Sequence, residues 1–170
     1  FGNIKESRIL LIGSGFVSEK TAQALKTKGV TDITVTSRSR DKTHQLSEKF
    51  SAASIHFHDI KNQIRHYDIV ISSTSSTETI IGLECIEDSI KNRPYRPLFL
   101  IDLAVPRDIE ESITNLKNIH LYNLDALAAI ANENIEQRKL ELNRAKKIVK
   151  SRAWNFWLKE QKQKLYRKVH

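Results

Sequence analysis

The chain has 170 residues, 39% apolar, 28% charged and 7% aromatic, enough to bury roughly 70% of the surface that its unfolded form would expose. Five glycines, three prolines and no repeated tract exclude collagenous and low-complexity chains; runs such as Ile9 to Ile12 fall far short of the about 20 apolar residues of a bilayer helix, so a soluble chain with no membrane role is expected. The net charge of +8 gathers at the C-terminal end: from Arg138 to His170 twelve Lys or Arg stand against Glu141 and Glu160, whereas Phe1 to Gln137 carries sixteen against eighteen acids.

The chain opens at Phe1 with no methionine and no signal peptide, and is expected to be a piece of a longer protein. The first predicted strand, Arg8 to Ile12, runs into Gly13-Ser14-Gly15, and a helix predicted over Val17 to Lys28 stops at Gly29. A Gly-x-Gly between strand and helix suits a pyrophosphate. Gly13 permits the tight turn, Gly15 lets the backbone come close, and amides around Phe16, Val17 and Ser18 open the helix toward the anion. Ser18 stands where such turns often carry a third glycine, a position concerned mainly with helix-strand packing. An ordinary glycine turn is the plainer alternative.

The second strand, Asp32 to Thr36, leads into Ser37-Arg38-Ser39-Arg40-Asp41-Lys42 and a helix predicted over Lys42 to Phe50. NAD sites usually carry an acid at this strand tip for the ribose 2′-hydroxyl. Here Arg38 is suited to a bidentate contact with a 2′-phosphate, Ser37 and Ser39 to donating to it, and Arg40 and Lys42 to adding charge, so NADPH is expected over NADH. Further strands are predicted at Ser54 to His58, Tyr67 to Ser72, Leu98 to Leu103 and Asn118 to Tyr122, with a helix over Leu83 to Asn92. Ser73 and Thr74, after the fourth strand, would line a crevice or cap the next turn. Because the apolar runs are continuous rather than alternating, the strands are expected to be covered on both faces. Strands alternating with helices then give an α/β, doubly wound parallel sheet over residues 1–124.

From Asp125, a candidate N-cap, to His170 the chain carries neither Gly nor Pro. A helix from Ala126 to Lys168 would be roughly 65 Å long, well beyond a body of about 14 Å radius of gyration, so it is expected to leave the globule. Leu127, Ala131, Ile135, Leu142, Ala145, Val149 and Phe156 form a stripe interrupted by Arg138 and Arg152. Trp154, Phe156 and Trp157 are assigned to packing, on a second chain or on missing parts of this one, rather than to base stacking. The lysines around them are either a solvated face or a nucleic-acid contact.

Gly13 to Gly15, Ser37-Arg38-Ser39, Ile71-Ser72-Ser73-Thr74 and above all Leu98-Phe-Leu-Ile-Asp-Leu-Ala-Val-Pro-Arg-Asp-Ile109 resemble the glutamyl-tRNA reductases; so do Leu121 to Asp125, Glu133 to Arg138 and Trp157-Leu158. The resemblance covers nearly the whole chain and implies a Rossmann-type NADPH-binding domain followed by the start of a spinal helix leading to a dimerisation domain, in a cytoplasmic enzyme of tetrapyrrole (haem) synthesis. It implies that an enzyme thiolate takes the glutamyl group from its tRNA, that NADPH delivers hydride to release glutamate-1-semialdehyde, and that an aminomutase acts next. The family's Gly-Ala-Gly and Asn-Arg-Thr are Gly13-Ser14-Gly15 and Ser37-Arg38-Ser39 here. Its nucleophilic cysteine and tRNA-recognising residues belong to an N-terminal domain that these residues do not match. Cys85, the one cysteine, excludes a disulfide framework and a multi-cysteine metal site, fits a reducing compartment, and is assigned to packing. No catalytic residue is therefore expected in this segment, which alone should be inactive. Two alternatives stay open: a shikimate-dehydrogenase-like NADP reductase domain, and a degenerate Rossmann module whose basic helix binds RNA or a partner helix.

Overall fold

A computed structural model describes residues 3–91 and 96–169. Six parallel strands, β1 (Ile9–Ile12), β2 (Ile33–Thr36), β3 (Ala53–Ser54), β4 (Ile69–Ser72), β5 (Leu98–Asp102) and β6 (Ile119–Asn123), form one sheet in the order β3-β2-β1-β4-β5-β6. Helices α1 (Phe16–Thr27), α2 (Arg40–Phe50), α3 (Ile60–Gln63) and α4 (Leu83–Lys91) connect successive strands, and α5 (Leu124–Val169) ends the chain. This is the Rossmann-type order, in which winding reverses between β1 and β4 and opens a crevice at their carboxyl ends.

The unbroken apolar runs follow from burial on both faces. Ile9 and Leu11 of β1 join Ile33, Val35, Ala22, Leu25, Leu46 and Phe50 in one cluster; Leu10 and Ile12 join Val70, Leu98, Leu100, Ile64 and Ile86 in the other. All four β1 side chains are at most 1% exposed, each worth about 1.5–3 kcal/mol of burial.

Several boundaries differ from the sequence expectation. Strand Ser54 to His58 shrinks to Ala53–Ser54, because this edge strand pairs only with Thr34 and Val35 of β2; after Ile55 donates to the Val35 carbonyl the chain turns into a 3-10 segment at Phe57–Asp59 and then α3. The 3-10 turns at Ile64–His66 and Glu111–Asn115 and the four residues of α3 are too short to show a period. Asp125 is not the N-cap: β6 passes straight into α5, and the Asn123 Oδ1 accepts from Ala126 N at 2.9 Å. The predicted end of α4 at Asn92 lies outside the described residues.

Residues 1–126 form one compact unit and 127–170 another. Within α5, 46 residues long, Ile135, Leu142, Val149 and Phe156 of the predicted stripe are exposed, while Leu140 and Trp154 lie about half a turn away from it at ~100° per residue. The rings of Trp154 and Trp157 stack with centroids 5.2 Å apart. Among the described residues no helix is long and apolar enough to cross a membrane.

Candidate functional site

The turn after β1 is built around Gly13, whose φ of +120° favours glycine and whose amide donates to the Thr36 carbonyl at 2.8 Å. A Cβ at Gly13 would stand 2.6 Å from the Ser73 carbonyl oxygen. The tight turn thus depends on a residue 60 positions away, at the end of β4. Gly15 is different. It precedes α1 in extended backbone open to any residue, and a Cβ there would meet nothing within 4 Å. The chain itself has no need of glycine at that position.

Between these turns lies a groove of about 360 Å³, lined by Gly13 to Val17, by Ser37, Arg38, Ser39 and Lys42, and by Ser73 to Ser75 with Phe57. Eleven of the thirteen predicted site residues meet here. Ser18 and Arg40 do not. Ser18 is 1% exposed behind the turn, and its Oγ lies 2.7 Å from Ser73 Oγ, so the serine in the third-glycine position ties α1 to β4 rather than facing a ligand. Arg40 faces an adjoining cavity.

At the tip of β2 the hydroxyls are already engaged: Ser39 Oγ caps α2 by accepting from Lys42 N, and Ser37 Oγ lies 2.9 Å from the Ser39 carbonyl and 2.8 Å from Thr43 Oγ1. The cations are not. Among the described residues no carboxylate stands within ion-pair distance of Arg38, Arg40 or Lys42. Arg38, Arg40 and Lys42 thus gather at the start of α2, where the helix dipole disfavours positive charge and Asp41 is the acid of the first turn.

Asp102 and Asp108 stand in the Leu98 to Ile109 block with no role that the sequence alone assigns. Asp108, fully buried, accepts from Ser72 Oγ at 2.6 Å, Thr74 N at 3.0 Å and Thr74 Oγ1 at 2.7 Å, and so holds the wall of the groove. Asp102, 2% exposed, accepts from Ala104 N and Ile109 N, each at 3.0 Å, and closes the loop that carries Asp108. Burial pushes the Asp102 carboxyl above the usual carboxylate range, with its two backbone donors pulling the other way. The clue in the sequence is two acids, Asp102 and Asp108, within a block that is apolar but for them and Arg107. Cys85 sits in the first turn of α4, buried, and burial pushes its thiol up, away from thiolate reactivity.

Fold and turn together define a dehydrogenase-type dinucleotide domain, and the chain belongs to the shikimate/quinate 5-dehydrogenase family, whose model matches residues 1–130. Within that class its relatives are glutamyl-tRNA reductases. The chain is 41% identical over 161 residues to the glutamyl-tRNA reductase of Idiomarina loihiensis, covering 94% of this chain and 38% of that one. It thus spans less than two fifths of the length of that relative. Among solved structures, glutamyl-tRNA reductase from Methanopyrus kandleri superposes with a TM-score of 0.77 at 26% identity, covering 85% of this chain and 36% of that one. The nucleotide binding domain of glutamyl-tRNA reductase from Thermoplasma volcanium gives 0.60 at 24% identity, over 78% and 86%, a likeness of fold.

Proposed function

We propose that residues 1–126 bind NADPH and serve as the hydride-supplying part of a glutamyl-tRNA reductase. The observation that carries this reading is Gly15: its backbone is unstrained and its Cβ would be unobstructed, so glycine there answers to something outside the chain. A methyl group would occupy the groove where a pyrophosphate approaches the free amides of the first turn of α1. Gly15, Phe16 and Val17 would hold the pyrophosphate through backbone N–H groups; Arg38 and Lys42 the 2′-phosphate, with Ser37 and Ser39 fixing the backbone beneath it; Ser73 and Thr74 the opposite wall. NADPH, when bound, supplies hydride, and the protein orients it. The acyl-transfer half of the reaction needs a thiolate, and the buried Cys85 does not provide one, so the segment alone is inactive on glutamyl-tRNA. Glutamyl-tRNA, a second copy of the chain through α5 and a downstream aminomutase are the partners this reading implies, in the cytoplasm. The shikimate-dehydrogenase alternative has the family match behind it, but that match stops at residue 130, whereas the 161-residue alignment with the reductase continues through most of α5.

Titration of NADPH and NADH against wild type, Gly15→Ala and Arg38→Ala tests the reading. A charge-assisted contact worth about 1.5–3 kcal/mol gives NADPH an advantage of about tenfold or more at low salt. Arg38→Ala should erase the advantage, and Gly15→Ala should weaken both cofactors with melting unchanged. Equal affinities in the wild type, or a Gly15→Ala variant that binds normally, would refute it.

A further inference from the structure

Helix α1 is apolar on two sides. Ser18, Ala22 and Leu25 are its buried residues. On the solvent side Val17, Thr21, Ala24 and Lys28 follow one another at spacings of four, three and four, with Phe16 and Lys20 beside them, and border a space of about 420 Å³. Phe16 is 74% and Val17 44% exposed, and Ala24 is exposed further along the same side. The Thr21 hydroxyl donates to the Val17 carbonyl at 2.8 Å and so adds no unmet donor to this shelf. Two large apolar side chains standing together in solvent mark a surface that something covers.

The shelf carries cations toward both ends and no carboxylate. Lys20 Nζ stands 5.3 Å from the centre of the Phe16 ring, and Lys28 borders the far end. Among the described residues neither lysine is within ion-pair distance of an acid, and Glu19, next to Lys20 in sequence, is engaged with Lys49 at 2.7 Å. A second copy meeting the shelf through the same face would bring Lys20 and Lys28 of both copies together, so a symmetric pairing of α1 with itself is opposed by charge. A nucleic acid would answer the lysines but not the apolar run of Val17, Thr21 and Ala24. A helix with an aliphatic ridge edged by carboxylates answers both, because spacings of three and four are the ones at which a second helix sets its own ridge.

We propose that the outer face of α1 is a docking surface for an acidic amphipathic helix of another protein chain. Phe16, Val17 and Ala24 take its apolar ridge, and Lys20 and Lys28 its carboxylates. The surface does not depend on the dinucleotide reading above. Because Phe16 and Val17 also border the groove, the docked helix lies against the groove's rim.

The test uses the 170-residue chain and two lactam-bridged helical peptides of about 16 residues, since unbridged helices of that length are marginal in water. Both carry leucines at spacings of three and four; one has glutamates beside them, the other lysines. Fluorescence anisotropy at low salt should show the glutamate peptide bound more tightly by about fivefold or more, the scale of two exposed ion pairs made in one case and opposed in the other. The gap should narrow in about 0.5 M salt. Lys20→Glu/Lys28→Glu should reverse the preference. Ala24→Gln, which sets a longer neutral side chain in the middle of the shelf, should weaken the glutamate peptide by about fivefold or more. Thermal melts of both variants should match wild type, because all three positions are exposed. A glutamate peptide held equally by wild type and both variants sits elsewhere, on the basic stretch of α5, and overturns the proposal. Binding that falls in Lys20→Glu/Lys28→Glu but not in Ala24→Gln overturns it too, since it marks a contact by charge alone, such as a nucleic acid makes. Self-association of the chain that Ala24→Gln abolishes assigns the shelf to a second copy instead, and a wild type that binds neither peptide removes the docking surface altogether.

Discussion

Asp108 offers a direct way to perturb the groove wall without touching any residue that lines the groove. Its carboxylate is fully buried and accepts three hydrogen bonds, from Ser72 Oγ, Thr74 N and Thr74 Oγ1. Asparagine keeps the shape and, with its carbonyl oxygen in the place of Oδ2, still accepts from Ser72 and Thr74 N, while its NH₂ faces the Thr74 hydroxyl, which must turn from donor to acceptor. All three hydrogen bonds lose their charge assistance, at about 0.5–1.5 kcal/mol each. We expect Asp108→Asn to cost about 2–3 kcal/mol, which for a unit of this size lowers the melting temperature by roughly 8–12 °C. Ser72→Ala removes one donor and leaves the other two paired, so it should cost about 1 kcal/mol alone and clearly less in the Asp108→Asn background. Thermal and urea denaturation of the four proteins in this cycle reads the coupling. A variant that melts within about 2 °C of wild type, or strictly additive losses, would refute a wall held by Asp108. NADPH affinity should fall with it, because Thr74 and its neighbour Ser73 form the side of the groove facing Gly13.

Gly13→Ala should destabilise the domain severely, by more than about 3 kcal/mol, since it combines a left-handed backbone with a Cβ 2.6 Å from the Ser73 carbonyl; thermal melting of this variant beside Gly15→Ala, expected to melt like wild type, separates the two glycines. Asp102 carries a pH signature of definite sign. Its folded carboxyl titrates above the unfolded one, so the native state holds an extra proton in the window just above pH 4, and stability falls as pH rises through that window. Wild type should therefore lose stability relative to Asp102→Asn as pH rises above the ordinary carboxylate range, and a stability difference that stays constant with pH would count against burial as the cause. Cys85→Ser should leave NADPH affinity unchanged and cost no more than about 1–2 kcal/mol as a small packing change; turnover of glutamyl-tRNA by the 170-residue chain, abolished by this substitution, would show that the thiol is catalytic after all.

Strand positions were legible because their cause is local. Ile9 to Ile12 read as a strand covered on both faces, and alternate residues of β1 do enter opposite clusters. The turn at Gly13 was legible for the same reason, being bounded by a strand and a helix in sequence. What escaped was set by partners far along the chain. The fate of Ser54 to His58 depended on β3 being an edge strand with a single neighbour, which no property of the segment announces. Ser18 reads as a packing position in the place of a third glycine, but its partner Ser73, 55 positions on, is visible only in the fold. Ser37 and Ser39 line the groove as expected of phosphate donors, and what the sequence does not announce is that Ser39 also caps α2 and Ser37 braces the same turn.

The stretch from Leu98 to Ile109 was the strongest carrier of family resemblance, and the structure explains why so long a run is constrained together. Asp102 ends β5 and binds the amides of Ala104 and Ile109, closing the loop between them. That closure delivers Asp108, whose backbone carbonyl accepts from Ile80 N and Ile81 N, and whose side chain accepts from Ser72 and Thr74. Thr74 fixes Ser73, and Ser73 meets both Gly13 and Ser18. The links at Asp102, Asp108 and Ser72 are buried and those at Thr74 and Ser73 part-buried, so a change at the buried ones leaves an unpaired donor or acceptor rather than a solvated one. The residues of the loop outside this chain of contacts are released from it: Val105 is 80% exposed and Arg107 pairs only across one turn with Glu111. The shape of the groove beside the Gly13 turn is therefore decided by two carboxylates that do not line it.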